Sequence, residues 1–509
     1  MFFNKALVGL FFVLLLMACS PDDDRVADGI GGTGISMGRV TAFGSIYVNG
    51  VKYETDTSNF IRDRESGQLQ EDFNIGEFVY IRGDVSEDKV TGIAQDVIFS
   101  DIMEGAITAI DTTSVDQSIE ILSYKVNISA MTLFHGVAFS DLQIGNVVEV
   151  SGFNQSHGEI DALTIRFVNP VLQPGEEIEL EGNISNLDIV NKTFSINTLN
   201  IDYSVAAFEN LVEGELFDGL LLTVVSDQSP INNILSAKTV LVEEQLAVEG
   251  VALSLSGRIS EVSSNVFVVN GVEIIISDTT EFINSVQSDL AEDVEAKVTG
   301  VINANNQLVA TTIEAFTFDS EITLEGFVQS VNPDTQTFEL FNQVFGVSHL
   351  TIYQDLTNNA GVTFNFGDLL VGDFVKIVGV VKDGINTALL VSRSEPKQVF
   401  SFRSVVSSVN PDTLELKLSA IDVQLDDSMS LLDSSNEEVS ISSFLNLLDA
   451  GTSYVIVKGE FEGMIFIITN IELVSEEVSS SDSGNSGNSG NSGNSGNNGN
   501  NGNNGNNGR

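Results

Sequence analysis

Histidines and carboxylates are the side chains in this sequence with the most obvious capacity for chemistry. The three histidines, His135, His157 and His349, are scattered, and none sits in a context that would orient it for catalysis or metal binding. Paired carboxylates suit glycoside hydrolysis. The acids, however, alternate with apolar residues along predicted strands, as in residues 176–181, and a solvated strand face explains them. We therefore predict no catalytic residue, no cofactor site and no metal site, and a protein that is not an enzyme.

The single cysteine, Cys19, ends an apolar segment that follows Lys5. The run over residues 6–17 is too short to span a bilayer comfortably and has the proportions of a signal-peptide core. The sequence from Leu16 to Cys19 resembles the lipobox of bacterial lipoproteins, in which the cysteine is lipidated and becomes the mature N-terminus. The resemblance implies a lipoprotein signal peptide over residues 1–18 and a lipid anchor on Cys19.

The residues after the cysteine suggest where the protein is anchored. Ser20, by resemblance to lipoprotein sorting in bacteria with two membranes, favours the outer membrane. Residues 19–37 are polar and rich in glycine, and we predict that they form a flexible tether. We expect a protein lipid-anchored to the outer membrane, with the membrane as its partner, facing the periplasm or the cell surface.

Charge and composition exclude several classes of protein. The 509 residues contain 72 acidic and 22 basic side chains, a formal net charge of −50 that repels nucleic acid. One cysteine excludes an internal disulfide framework. Carboxylates suit Ca²⁺, but the sequence contains no EF-hand loop, so we expect only weak, diffuse Ca²⁺ association. A protein or polysaccharide partner is not identified by the sequence.

A block of about 65–78 residues recurs six times between residues 38 and 474. Five blocks open with a short alternating strand that begins near a glycine, and most contain a later apolar run between two glycines, such as Gly76 to Gly83. Asn49-Gly50 and Asn270-Gly271 predict tight hairpins. The pattern predicts an all-β fold of about six tandem, small antiparallel barrels of OB-like type, with a continuous β-stack as the alternative. The 32 phenylalanines are expected to fill six separate cores.

The block boundaries give the predicted domains. The six β-modules are expected over residues 38–100, 101–170, 176–244, 248–317, 322–394 and 400–475. The middle stretches of the second and third modules, near residues 141–143 and 213–218, are expected to form short helical turns. Residues 479–509 consist of Ser, Gly and Asn repeats, which predict a disordered C-terminal tail.

The first block resembles a bacterial family, the domain of unknown function 5666. The resemblance is carried by Gly31 to Gly34, by the segment from Gly38 to Val51, by Gly76 to Gly83, and by Gly92-Ile93-Ala94. It implies β-rich tandem modules in an exported protein, and it supplies no catalytic residues.

These observations favour a non-enzymatic envelope lipoprotein whose tandem β-modules act as a scaffold or binding protein displayed from the outer membrane. One alternative is an envelope enzyme or accessory subunit, similar to a hydrolase, with an acidic site in one divergent module. A second alternative is a surface adhesin or matrix component.

Overall fold

The computed structural model describes residues 32–112, 117–155, 158–242, 248–357, 364–396, 399–418 and 421–474. Within these ranges nearly all regular structure is β-strand, with five 3₁₀ turns and one short α-helix. No helix among them is long and apolar enough to cross a membrane. Cys19, the predicted signal peptide, His157 and the predicted tail over residues 479–509 lie outside the described residues.

The strands form six barrel or half-barrel modules in chain order, which we call barrels 1 to 6. Barrel 1 contains β1 (Gly32–Arg39), β2 (Ile46–Val48), β3 (Val51–Glu54), β4 (Asn59–Arg62), β5 (Glu65–Gln68), β6 (Phe78–Val85) and β7 (Thr91–Phe99). Barrel 2 contains β8 (Met103–Asp111), β9 (Ser118–Ile121), β10 (Tyr124–Asn127), β11 (Leu133–His135), β12 (Val147–Gln155) and β13 (Glu159–Asn169). Barrel 3 contains β14 (Ile178–Asp188), β15 (Thr193–Ile196), β16 (Leu199–Asp202), β17 (Ala207–Glu209), β18 (Leu221–Ser226), β19 (Ile234–Ser236) and β20 (Thr239–Leu241).

The second half of the chain repeats the plan. Barrel 4 contains β21 (Ala252–Ser263), β22 (Val266–Val269), β23 (Val272–Ile275), β24 (Glu281–Phe282), β25 (Glu295–Ile302) and β26 (Leu308–Phe316). Barrel 5 contains β27 (Ser320–Phe327), β28 (Ser330–Asn332), β29 (Thr337–Leu340), β30 (Gln343–Asp355), β31 (Phe374–Lys382) and β32 (Ile385–Ser394). Barrel 6 contains β33 (Val399–Asn410), β34 (Glu415–Leu418), β35 (Ile421–Gln424), β36 (Ser430–Leu432), α1 (Ile441–Leu445), β37 (Tyr454–Glu462) and β38 (Ile465–Val474).

Barrel 2 shows the pairing plan most clearly. β8 pairs antiparallel with β9 and β9 with β10; β10 then runs parallel to β13, which returns through β12 to β8. Barrel 4 closes the same ring with β21, β22, β23, β26 and β25. This closed order, with one parallel pair, is that of an OB-type barrel, and the predicted all-β fold is confirmed. The 3₁₀ turns at Phe139–Asp141 and Glu213–Glu215 confirm the short helical turns predicted in barrels 2 and 3.

The glycine that ends each apolar run lies at a β-bulge. In barrel 4 the register between β25 and β26 shifts between Thr299 and Gly300, and a Cβ on Gly300 would lie 2.2 Å from the carbonyl oxygen of Val309. The bulged strand therefore approaches its partner more closely than any side chain allows. Equivalent shifts occur at Gly83, Gly152, Gly379 and Gly459. The repeated glycine is thus part of barrel closure.

The barrels contact one another through paired strands and not only through the connections between consecutive barrels. β1 of barrel 1 pairs parallel with β21 of barrel 4, although more than 200 residues separate them in sequence. β8 of barrel 2 pairs with β14 of barrel 3, so these two barrels share one sheet and one apolar core. Residues 32–37, predicted as part of the tether, belong to β1, because Ile35 and Met37 are buried against barrel 4.

Phenylalanines also join barrels 5 and 6, so the expectation of six separate cores is wrong. The ring of Phe461 on β37 lies 5.1 Å from that of Phe327 and 5.5 Å from that of Phe374, both in barrel 5. Phe341 of barrel 5 likewise lies 6.0 Å from Phe466 of barrel 6. Apolar surface that a lone barrel would leave in water is buried between neighbours.

Candidate functional site

A cluster of acids and arginines lies where barrels 1, 2 and 3 meet. It is built by the β4–β5 turn, the start of β6 and the connection from β7 to β8, together with β8, β12, β13 and β14. We name it the junction cluster, and its members are Asp63, Glu77, Asp101, Glu104, Glu149 and Glu179 with Arg62, Arg64 and Arg166.

Three glutamates of the cluster form a row across adjacent strands. Glu104 on β8 lies directly opposite Glu149 on β12 and, on its other side, directly opposite Glu179 on β14. Glu149 and Glu179 are buried and Glu104 is half-buried. Like charges directly opposite each other in a sheet repel. The row therefore requires positive charge or protons to be stable.

Arg62 supplies part of that positive charge. Its guanidinium donates to both oxygens of Glu77, at 3.0 and 3.2 Å, and to Glu149. The same guanidinium lies 4.1 Å above the ring of Phe99, a cation–π contact. Glu77 is completely buried, and its carboxylate also accepts a hydrogen bond from the Asn74 backbone N–H at 2.8 Å. Arg62 thus connects barrel 1 to barrel 2.

Two further arginines pair with the ends of the glutamate row. Arg166 on β13 donates to both oxygens of Glu149. Arg64, in the β4–β5 turn, makes a two-pronged pair with Glu179 at 2.8 Å for each bond. Arg64 reaches this position because Asp63 and Arg64 both adopt positive φ, 48° and 69°, in a tight hairpin turn. Paired guanidinium–carboxylate contacts of this kind are strong and directional.

Burial and mutual repulsion raise the pKa values of Asp63, Asp101 and Glu104 in the cluster. Burial raises the pKa of Glu104 to about 7, with a further contribution from Glu149. Burial also raises the pKa of Asp101 well above its usual range, and the carboxylates of Glu179 and Asp63 raise it further. The pKa of Asp63 is raised in the same direction by burial. Asp101, Glu104 and Glu149 each offer an oxygen within 4.8 Å of the others, so these three are the candidate metal ligands within the described ranges.

The histidines lie apart from one another. His135 is half-buried and its Nε2 lies 2.9 Å from the carbonyl oxygen of Ile75; burial lowers its pKa to about 4. His349 lies where barrels 1, 4 and 5 meet and lines a cavity of about 30 Å³, room for one water, together with Arg39, Asn49 and Glu295. The structure does not bring these two histidines into one site.

Two features of the sequence take on a different meaning in the structure. Glu179, expected on a solvated strand face, is buried because barrel 1 covers that face through Arg64. The segment from Gly34 to Gly38 has the Gly-x-Ser-x-Gly spacing of hydrolase nucleophile elbows, which the prediction of no catalytic residue did not take into account. It lies within β1 rather than at a strand-to-helix turn, and Ser36 is buried with its Oγ 2.5 Å from the hydroxyl of Tyr53. Ser36 is therefore part of the barrel core.

No local sequence pattern indicates the junction cluster, since its members are spread over more than 100 residues. The pairing of Glu104 with Glu179 follows from the joining of two barrels, which no short-range pattern encodes. A local hint is Asp63-Arg64, an acidic and basic pair at the two-residue turn between β4 and β5, a separate hairpin from the one that Asn49-Gly50 closes.

The fold defines a class, a tandem array of OB-type barrels. Three segments, residues 104–166, 256–314 and 325–392, match the family model described as Domain of unknown function (DUF5666), and they fall in barrels 2, 4 and 5. These matches in three regions of the chain are consistent with a DUF5666-like repeat protein.

Two further comparisons give less. No curated protein matches the chain. Among solved structures, the one named "drosophila Unr CSD456" is similar at 12% identity over 42% of this chain and 97% of that chain, with a TM-score of 0.13. A superposition of that quality carries no argument about fold or function.

Proposed function

We propose that this protein is a non-enzymatic scaffold or binding protein of the bacterial envelope, displayed from the outer membrane by a lipid on Cys19. The observation that carries the scaffold part is the joining of barrels 1 and 4 through β1 and β21, because it fixes distant modules against each other. The anchor and the location rest on the lipobox resemblance from Leu16 to Cys19.

A scaffold role is supported by how the barrel surfaces are used. Barrel 1 contacts barrel 2 through Arg62 and Glu149, barrel 3 through Arg64 and Glu179, and barrel 5 through a backbone hydrogen bond from Tyr353 to Thr41 at 3.0 Å. Each module is thus held by more than its covalent connection. A rigid array presents its outer faces in fixed geometry, which lowers the ordering cost of binding a large partner.

Lipidation is tested with full-length protein expressed in a bacterium with two membranes. The wild type is expected to incorporate labelled fatty acid, to begin at Cys19 by mass spectrometry and to fractionate with the outer membrane. Cys19→Ser is the matched variant and is expected to remain unlabelled and uncleaved at that position. Unlabelled wild-type protein, or label retained in Cys19→Ser, would contradict the anchor.

Orientation and catalysis are tested separately. Protease treatment of intact cells is expected to spare the protein if it faces the periplasm and to shave it if it faces outward, as an adhesin would. Hydrolysis of a glycan or ester by the purified chain would overturn the non-enzymatic assignment and favour the alternative of an acidic catalytic site.

A further inference from the structure

The centre of the junction cluster has the geometry of a cation site. Asp101, Glu104 and Glu149 each place one carboxylate oxygen within 4.8 Å of the other two. Three oxygens within that spacing lie near enough to reach one ion at roughly the Ca²⁺–oxygen distance of about 2.3–2.6 Å. A site made of protein carboxylates suits Ca²⁺ better than Mg²⁺, because Mg²⁺ demands near-octahedral geometry and usually keeps several of its waters.

Asp101 provides an independent observation. Its side chain is 4% exposed, and its Oδ1 is buried with no hydrogen-bond partner among the described residues. A buried acceptor without a donor is costly, and a buried carboxylate more so. The groups acting most strongly on Asp101 are themselves carboxylates, those of Glu179, Asp63, Glu149 and Glu104. This oxygen therefore lacks a hydrogen-bond donor in the part of the chain that the structure describes, and a cation would supply the missing partner.

The charge balance of the whole cluster points the same way. Six carboxylates face three guanidiniums, a formal excess of three negative charges in a largely buried region. Arg62 and Arg166 pair with Glu149 and Arg64 pairs with Glu179, the outer members of the row, and Glu104 lies between those two glutamates. A divalent cation at the centre would reduce the excess to one.

We propose that Asp101, Glu104 and Glu149 bind one calcium-sized divalent cation. Asp101 lies on the connection between β7 and β8, and its backbone N–H faces Asp63 Oδ1 at 3.4 Å, whereas Glu104 and Glu149 lie on strands of barrel 2. The ion therefore ties the connection between barrels 1 and 2 to the strand that joins barrel 3. The proposal goes beyond the sequence-based expectation of weak, diffuse Ca²⁺ association, and it does not depend on where the protein is displayed.

Calorimetric titration of the purified full chain, first stripped with chelator and then held at physiological salt, tests the proposal. CaCl₂ is expected to show one saturable site with a Kd of about 0.1–1 mM, the range of extracellular calcium modules. MgCl₂ is expected to bind at least about tenfold more weakly because it gives up its waters reluctantly and demands near-octahedral geometry. Asp101→Asn/Glu104→Gln should weaken Ca²⁺ binding about tenfold or more. The matched control Asp334→Asn/Glu321→Gln removes two exposed acids and should bind as the wild type does.

Thermal unfolding provides a second measurement that does not depend on the double variant folding. Ca²⁺ should raise the Tm of the wild type more than Mg²⁺ does at equal ionic strength, by linkage to the folded state. Equal shifts with both ions, no saturable site in the wild type, or equal Ca²⁺ affinity in the double variant and its control would each overturn the proposal. None of these results bears on lipidation of Cys19, which is tested by its own experiment.

Discussion

Glu104 on β8 faces Glu179 on β14 directly across the antiparallel pair that joins barrels 2 and 3. Two carboxylates at this position oppose the joining of the two sheets, and Arg64 of barrel 1 offsets the repulsion by pairing with Glu179. The contact between barrels 2 and 3 therefore depends on a side chain from barrel 1. Ion pairs as well as strand pairing therefore hold the three barrels together.

Neutralising Glu104 should stabilise the cation-free protein. Glu104→Gln keeps the shape of the side chain and removes repulsion from Glu149 and Glu179, so we expect a gain of about 1 kcal/mol in unfolding free energy in the presence of chelator. Thermal unfolding checks this. Glu273→Gln, an exposed change on β23, is the control and should be close to neutral. A loss of stability in Glu104→Gln would show that the ionised carboxylate is needed even without a cation.

The repeated strand order of the modules could be predicted because local patterns, the hairpin turn residues and the alternation of apolar residues, indicate it. Asn49-Gly50 and Asn270-Gly271 form tight turns with positive φ at both residues, as expected. Leu122-Ser123 and Phe341-Asn342 occupy the same turn in barrels 2 and 5 with positive φ and no glycine. Neighbouring strands impose that backbone, so residue type alone did not reveal these turns.

Alanine at a bulge glycine should destabilise its barrel. In Gly300→Ala the added Cβ would meet the carbonyl oxygen of Val309 at 2.2 Å, and backbone cannot move aside as a flexible side chain can. We expect a loss of about 2 kcal/mol or more, measured by calorimetry. Gly214→Ala has open space around the new Cβ and should change stability little. Equal effects of the two substitutions would contradict the closure role of the bulge.

Truncating Phe461 should loosen barrel 6 from barrel 5. The ring contacts Phe327 and Phe374 across the interface, and Phe461→Ala should cost about 2 kcal/mol of stabilisation. Trypsin cleavage after Lys397, between the two barrels, should become faster. Ile465→Ala, at a side chain that is 67% exposed on the next strand, should not accelerate cleavage. Unchanged cleavage in Phe461→Ala would mean that the aromatic contact does not hold the barrels together.

Acidification should destabilise the junction of barrels 1, 4 and 5 through His349. Burial lowers the pKa of His349, and Lys297 lowers it further, whereas Glu314 opposes the shift. Arg39 and Glu295 also line its cavity. Because the unfolded state binds the proton more readily, this contribution to stability is complete above about pH 6.5 and is lost as pH falls below it.

His349→Gln isolates that contribution. The Tm difference between pH 7.5 and pH 5.5 should be smaller in His349→Gln than in the wild type, since glutamine does not titrate. The comparison is made between variants because other groups, including His135, also titrate on acidification. An identical Tm difference in the two proteins would contradict a lowered pKa of His349 in the folded state.

The junction cluster could not be predicted because its geometry is non-local. Glu77 and Glu149 appear in the sequence as ordinary acids within or beside an apolar run, yet both are buried once barrel 1 packs on barrel 2. The pairing of β1 with β21 is equally invisible, since hydrogen bonds at a strand edge depend on backbone rather than on side-chain type. Local turns and strand periodicity predict the fold of one module. Contacts between modules cannot be predicted from them, because those contacts join residues that are distant in sequence.

Disulfide trapping between barrels 1 and 4 tests the central claim, a locked array, most directly. Ser36 on β1 and Ser254 on β21 are partners in the parallel register. Adjacent strands lie about 4.8 Å apart, within the Cα separation of about 4.4–6.8 Å that a disulfide spans. With Cys19→Ser as background, Ser36→Cys/Ser254→Cys should form an intramolecular disulfide on mild oxidation, whereas Ser36→Cys/Ser330→Cys should not. Failure of the first pair to cross-link in the folded monomer, or equal cross-linking of both pairs, would contradict the array and favour independent barrels on a string.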